Sequence, residues 1–250
     1  MAQWARRGRA VWRLARVLAH ITHGLWTIAW RFPRMSTEQK NAMVQSWAMG
    51  LLQRLNVQLQ VLGTPPVNGP VLLVANHLSW LDIPVLHAAR HCRFISKSDV
   101  GSWPLLARLA GAAGTLYIDR SSRRDTLRLV QRMSEALAAR DVLAVFPEGT
   151  TGDGSALLPF HANLMEAAVQ TGAPVQPVGL RFVDPASGED SPAPLYVGDT
   201  TLAASLWSTL CAPALIARVS YGAPHTAQGR DRRAWAKDLQ AEVDQLRRMR

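Results

Sequence analysis

The sequence predicts an α/β domain, a largely parallel sheet flanked by helices on both faces, preceded by an N-terminal amphipathic helical hairpin. Three observations carry this expectation. From residue 56 onward, short apolar runs of strand length alternate with segments of helical periodicity, the pattern of a parallel sheet whose crossovers are helices. The chain has 250 residues, 48% of them hydrophobic, enough to bury one sizeable core. The beginning differs in kind: residues 1–34 hold seven arginines and no acidic residue, and five of the nine tryptophans (Trp4, Trp12, Trp26, Trp30 and Trp47) lie within the first fifty positions. The division that follows is a hairpin over 1–55 and a main domain over 56–250.

In chain order, Arg9, Arg13, Arg16, His20, His23, Thr27 and Arg31 recur three or four residues apart, which puts them on one face of a helix that Pro33 ends. Val11, Leu14, Leu18, Ile21 and Leu25 lie elsewhere on it with the tryptophans. Aromatic residues flanked by arginines fit a helix lying in a membrane interface, with the Arg row toward anionic lipid. Two other readings stand beside it. A spanning helix would hold Arg13 and Arg16 in its apolar stretch at about 2.5–3.5 kcal/mol each, and an amphipathic helix also packs on its own domain. A secretory signal would need an uninterrupted apolar centre and a small-x-small cleavage site, and neither is evident. Ser36 and Gln39 have capping-box spacing for a second helix reaching Leu55, with Met43, Trp47, Leu51 and Leu55 at intervals of four.

At Val57 the period changes to two, and a strand runs to Leu62 before Gly63; residues 64–70 are rich in turn formers. Strands are expected at Val71–Ala75, Arg93–Ser96, Thr115–Ile118, Val142–Phe146, Pro174–Phe182, near Leu195 and at Leu215–Tyr221. Helices are expected at Ile83–Arg90, Pro104–Ala110, Arg123–Ala139, Ala162–Thr171, Leu202–Leu210 and Arg230–Arg248. Residues 184–194, rich in Pro and Ser, read as a surface loop.

The net charge of +10 invites a nucleic-acid reading. Its placement argues against one: residues 229–250 carry seven basic and four acidic residues, and residues 35–228 carry fourteen of each. A neutral body with basic ends is not built to wrap a polyanion. Cys92 and Cys211 lie far apart without C-x-x-C spacing, so neither a disulfide framework nor a zinc ribbon is expected. His87 and His91 have helical i, i+4 spacing, but no third zinc-type ligand follows and no metal is expected.

In sheets of this class ligands gather beyond the carboxyl ends of the strands. The first such loop carries Asn76-His77-Leu78-Ser79-Trp80-Leu81-Asp82. His77 and Asp82 meet only if the chain turns between them, either as a general base with its orienting carboxylate or as a structural hydrogen bond. The loop after Thr115–Ile118 bears Asp119 and Arg120, and a guanidinium there either is solvated or holds a phosphate bidentately. The third loop is Phe146-Pro147-Glu148-Gly149-Thr150-Thr151, where Gly149 lets backbone N–H groups approach an anion and the hydroxyls add donors. A carboxylate at such a site needs a partner, and a substrate hydroxyl or Arg120 would supply it for Glu148.

Together and in this order, Asn76-His77 with Asp82, Gly114 to Arg120, and Phe146-Pro147-Glu148-Gly149-Thr150 resemble the first three motifs of the glycerolipid acyltransferase family, whose best known members are lysophosphatidic acid acyltransferases. Val175-Gln176-Pro177-Val178 resembles the fourth, so the likeness spans about residues 70–182. The resemblance implies that His77 is the general base and that Asp82 holds it. It also implies that Asn76, Lys97, Arg120, Glu148, Gly149 and Thr150 shape the acceptor site. The acyl donor would be an acyl-CoA or acyl-carrier protein thioester, used as substrate with no other cofactor. The acceptor would be a lysophospholipid, foremost 1-acylglycerol 3-phosphate, attacking directly without an acyl-enzyme. The absence of a G-x-S-x-G elbow agrees with direct attack. One departure bears on the acceptor: many members have a Phe-Lys-Lys-Gly-like run after the third motif, and this chain reads Phe160-His161-Ala162-Asn163. A lysolipid with an amino-acid head group is therefore a second candidate. A peripheral or monotopic position at the cytoplasmic face of a membrane is expected, without nucleic acid as a partner. A non-catalytic membrane-binding protein is the reading from another class, and it requires His77 and Asp82 to do no chemistry.

Overall fold

A computed structural model of the chain describes residues 2–97, 104–118 and 123–249. Helix α1 (Ala2–Trp30) passes through a 3-10 turn at Phe32–Arg34, around Pro33, into α2 (Thr37–Leu55). The capping box is formed as the sequence predicts: Gln39 N–H donates to Ser36 Oγ, and Ser36 N–H donates to Gln39 Oε1 at 2.9 Å. Asn56 ends α2 in the left-handed conformation, with φ 60°.

The main domain alternates strands and helices: β1 (Val57–Leu62), β2 (Val71–Ala75), α3 (Asp82–Ala89), β3 (Arg93–Lys97), α4 (Pro104–Ala112), β4 (Leu116–Ile118), α5 (Arg123–Ala138) and β5 (Val142–Val145). A 3-10 turn at Ala162–Met165 leads into α6 (Glu166–Thr171), then β6 (Val175–Val183), α7 (Leu202–Cys211), β7 (Leu215–Tyr221) and α8 (Arg232–Arg247). The sheet order is β1-β7-β6-β2-β5-β3-β4. Pairings are parallel except that of β6 with β7, so the two strands β7 and β1 at one edge run against the other five.

Strand β2 shows how the core divides. Leu73 and Ala75 join the cluster beneath α1, α2 and α3, while Leu72 and Val74 join Met133, Met165 and Trp235 beneath α5, α6 and α8. Period-two side chains buried on both faces give an apolar run without a polar alternate. Leu72 and Leu73 are fully enclosed, each contributing about 1.5–3 kcal/mol.

Two expectations are corrected. No strand forms at Leu195: its N–H turns back to Pro192 O, and the neighbouring prolines 192 and 194 lack the amide hydrogen a ladder needs. Nor does the polar row of α1 face outward as a unit. Arg13, His20 and Thr27, seven residues apart, turn toward the domain. The Arg13 guanidinium donates to the carbonyls of Leu210 (2.9 Å), Ala212 and Pro213 (3.0 Å), just where α7 ends and its last carbonyls lack helical partners. The His20 ring stacks on Trp47 at 5.1 Å and its Nε2 pairs with Trp47 O at 2.9 Å. Gly24 lies under the same indole, and a Cβ there would come within 2.4 Å of Trp47 Nε1.

The exposed side of α1 carries an apolar strip beside the exposed Arg7, Arg9, Arg16 and His23. Trp4, Val11, Trp12, Leu18, Trp26 and Trp30 are open to solvent and fall within roughly one third of the helix circumference. Leu14 and Ile21, expected on the outward apolar face, instead pack against the core. No described helix is long and apolar enough to cross a membrane.

Candidate active site

The site begins where β2 leaves the sheet. Asn76 is buried, and its side chain continues the ladder that the backbone abandons: Nδ2 donates to Leu180 O at 3.0 Å, and Leu180 N–H donates to Oδ1 at 2.7 Å. Both ends of the amide are thus spent on β6. The main chain turns out of the sheet at the next residue, His77.

His77 is gripped at every polar point but one. Its N–H donates to Glu148 Oε1 (2.8 Å), and its C=O accepts from Gly152 N–H (2.8 Å). The imidazole lies flat on Phe146, with centroids 4.0 Å apart and planes 7° from parallel, and Nδ1 meets Asp82 Oδ2 at 2.7 Å. Asp82 opens α3 and is fully buried; the same Oδ2 accepts from Leu78 N–H (2.6 Å) and Ser79 N–H (2.8 Å). An oxygen that accepts two backbone donors can serve the ring only as an acceptor, which places the imidazole proton on Nδ1 and leaves the Nε2 lone pair free. No described residue hydrogen-bonds Nε2, and the side chain is 19% exposed. A buried carboxylate, an imidazole of fixed tautomer and an open Nε2 form an arrangement that can accept a proton.

Glu148 is nearly enclosed. Oε1 takes the His77 amide and Oε2 takes Leu158 N–H at 2.8 Å, so the carboxylate fastens the third motif to the residue that carries the imidazole. Burial pushes its pKa up against the pull of these two hydrogen bonds. Gly149 has φ 74°, the left-handed turn that glycine favours, and Thr150 stands exposed beside it. The Thr151 hydroxyl bonds to Tyr196 O, and Tyr196 N–H donates to Leu78 O at 3.2 Å.

The structure therefore gathers His77, Asp82, Glu148, Gly149 and Thr150 in the loops at the carboxyl ends of β2 and β5, whereas the buried Asn76 amide serves β6 instead of facing an acceptor. The backbone of Lys97 ends β3 beside Ile118 of β4; its side chain and all of Arg120 lie outside the described residues. Two contributions escaped the sequence. The sequence places Phe146 at the end of a strand and the start of the third loop without assigning its ring a partner, although an aromatic residue at a strand end near a histidine is a visible hint of stacking. The segment 194–196, which carries Pro194 O to the Ser79 hydroxyl and Tyr196 to the loop, gave no sequence signal. His87 and His91 stack with centroids 5.3 Å apart behind Phe94. Among the described residues no group of three or more His, Cys, Asp or Glu side chains is placed to hold a metal ion.

Comparison with known proteins places this geometry in context. A family model described as Acyltransferase matches residues 54–181. The lyso-ornithine lipid O-acyltransferase of Pseudomonas aeruginosa is 36% identical over 243 residues, covering 95% of this chain and 93% of that protein. The 1-acyl-sn-glycerol-3-phosphate acyltransferase of Neisseria meningitidis is 37% identical over 186 residues, 74% of this chain and 72% of the relative. The crystal structure of the 1-acyl-sn-glycerophosphate (LPA) acyltransferase PlsC from Thermotoga maritima superposes with a TM-score of 0.72 at 17% identity, covering 100% of this chain and 99% of that one. A matched segment that opens at the end of α2 and closes in β6 encloses the His77–Asp82 pair and the Phe146–Thr150 loop, and with it the chain belongs to the glycerolipid acyltransferase family.

Proposed function

We propose that the protein transfers an acyl chain from an acyl-CoA or acyl-carrier protein thioester to the free hydroxyl of 1-acylglycerol 3-phosphate, with His77 as base. The observation that carries this reading is the His77 ring, held by Asp82 through Nδ1 with Nε2 open. Nε2 takes the proton as the hydroxyl oxygen attacks the thioester carbonyl. The C–O bond forms, the C–S bond breaks, and the proton passes from the imidazolium to the departing thiolate. Asp82 steadies the positive charge that forms on the ring between these transfers. The stacking of the ring on Phe146 and the Glu148 hold on its backbone fix where Nε2 sits, which is the larger part of what a direct transfer asks of the protein. Neither cysteine is placed as a nucleophile: the Cys92 thiol is sealed in the core, where burial pushes its pKa up, and Cys211 lies at the far end of α7.

A second acceptor, a lyso-ornithine lipid, is supported by two observations. The run Phe160-His161-Ala162-Asn163 lacks lysines, and the Pseudomonas relative matches nearly the whole chain. The exposed tryptophan face of α1 supports a peripheral position on a membrane, and a cytoplasmic thioester donor would make that side the cytoplasmic one. The test is thiol release by the purified protein, with both donors, against 1-acylglycerol 3-phosphate and lyso-ornithine lipid. Turnover with neither acceptor, or an unimpaired rate for His77→Ala, refutes the proposal.

A further inference from the structure

We infer that the groove between the end of α1 and the start of α2 is a binding site for the headgroup of an anionic glycerophospholipid, separate from the catalytic crevice. The inference rests on the reading that the hairpin lies on a membrane and adds a specific lipid ligand to it.

The groove is open, with a volume of about 820 Å³, and Trp26, Trp30, Arg31, Arg34, Met35 and Met43 are among the residues that line it. Both tryptophans are more than half exposed, at 53% and 63%, although each borders a cavity large enough to bury part of a ring. Arg31 and Arg34 flank the turn that Pro33 creates, and both are exposed where they line the groove. Arg34 donates once, to Trp30 O at 2.8 Å, and Arg31 has no side-chain partner among the described residues. The nearest carboxylate in sequence, Glu38, is engaged by the Ser36 hydroxyl at 2.7 Å. Guanidiniums with donors to spare over an apolar floor match a phosphodiester joined to glycerol: the phosphate meets the guanidiniums, and the glycerol and first methylenes meet methionine and indole.

A membrane lipid is favoured over an acidic protein by what adjoins the groove. From Trp26 and Trp30 the exposed apolar strip runs back along α1 through Leu18, Trp12 and Val11 to Trp4, a surface a bilayer interface covers. With no acidic residue in residues 1–34, no carboxylate along α1 repels an anionic headgroup.

Calorimetric titration of the full chain with monomeric dihexanoyl phosphatidylglycerol, which offers the headgroup without a charged surface, tests the site. Saturable binding is expected, weakened at least about tenfold in the Arg31→Gln/Arg34→Gln variant by the loss of charge-assisted hydrogen bonds to the phosphate, and unchanged in Arg7→Gln/Arg9→Gln, which removes equal charge on α1. Dihexanoyl phosphatidylcholine should bind more weakly to the wild type. Equal loss in both variants, or none in either, overturns the site. Sedimentation with phosphatidylcholine vesicles, with and without phosphatidylglycerol, separates this from the wider reading: wild-type protein that binds neither vesicle removes the membrane-lying hairpin itself. Binding to both vesicles with no effect of Arg31→Gln/Arg34→Gln on the titration removes only the headgroup site. All four arginines are exposed, and unchanged thermal unfolding of the variants confirms that they fold.

Discussion

Asp82→Asn isolates the charge of the carboxylate from its geometry. Two backbone donors, Leu78 N–H and Ser79 N–H, point at Oδ2, so an asparagine must put its carbonyl oxygen there and its NH2 group at the position of Oδ1. Oδ1 is buried without a partner, so the amide finds no new acceptor and none is taken away. The imidazole keeps an acceptor for Nδ1–H and therefore keeps its tautomer. What disappears is the attraction between a carboxylate and the imidazolium formed during transfer. At about 4 Å between charge centres and an effective dielectric constant near 20, that attraction is about 4 kcal/mol. A loss of 2–4 kcal/mol corresponds to a fall of roughly 30- to 1,000-fold in kcat. Thiol release at saturating lysolipid and donor measures it, with circular dichroism to confirm the fold. Activity within about threefold of wild type would show that the charge is not used. A fall as deep as that of His77→Ala would show that the tautomer was lost and the hydrogen-bond assignment around Oδ2 is wrong.

Other perturbations follow from the same contacts. Glu148→Gln replaces one acceptor oxygen by a donor, so either His77 N–H or Leu158 N–H faces an amide; stability should fall by about 1–3 kcal/mol in urea unfolding, and an unchanged midpoint would count against the paired hydrogen bonds. Arg13→Ala frees the terminal carbonyls of α7 and should lower Tm by about 5–10 °C, from a loss of about 2–3 kcal/mol, with Arg13→Lys in between; calorimetry reads both. Burial pushes His87 down to about 3 and His91 to about 4, so the folded chain keeps both neutral while the unfolded chain protonates them below about 6.5. Their contribution is whole above that value and is lost as pH falls, at about 1.4 kcal/mol per pH unit for each. Between about pH 7.5 and 5.5 the wild type should lose about 3 kcal/mol more than His87→Gln/His91→Gln, and parallel stability curves for the two proteins would refute this.

The fold was legible in the sequence wherever local chemistry and tertiary need agree. Ser36 and Gln39 cap α2 because a capping box is complete within four residues, and β2 reads as a strand because Val71–Ala75 is apolar at every position. Leu195 misled because an apolar residue in a Pro-rich stretch has strand hydropathy without the N–H groups a ladder needs. In α1 the period is legible and the direction of its polar row is not: Arg9, Arg16, His23 and Arg31 stay exposed while Arg13, His20 and Thr27 turn inward. Hydropathy reports which residues share a face, whereas the direction of that face is decided by the unsatisfied carbonyls at the end of α7, nearly two hundred residues away. The spacing of His77 and Asp82 allows their contact, and the resemblance of the three motifs singles the pair out. The backbone duties of Asn76 and Glu148 were not, because a side chain that serves main-chain groups leaves no mark in residue type.

Arg13 and the His20–Trp47 stack fasten α1 to the domain at two levels along its length. The exposed tryptophans and the His77 imidazole therefore belong to one rigid body, and the height of the ring above any surface that receives those tryptophans is set once, when the chain folds. A catalyst mounted in this way behaves like a cutting tool at fixed depth. On the proposed mechanism the acceptor brings its hydroxyl to the imidazole, and on a membrane the reach of that hydroxyl from the bilayer would select among lysolipids.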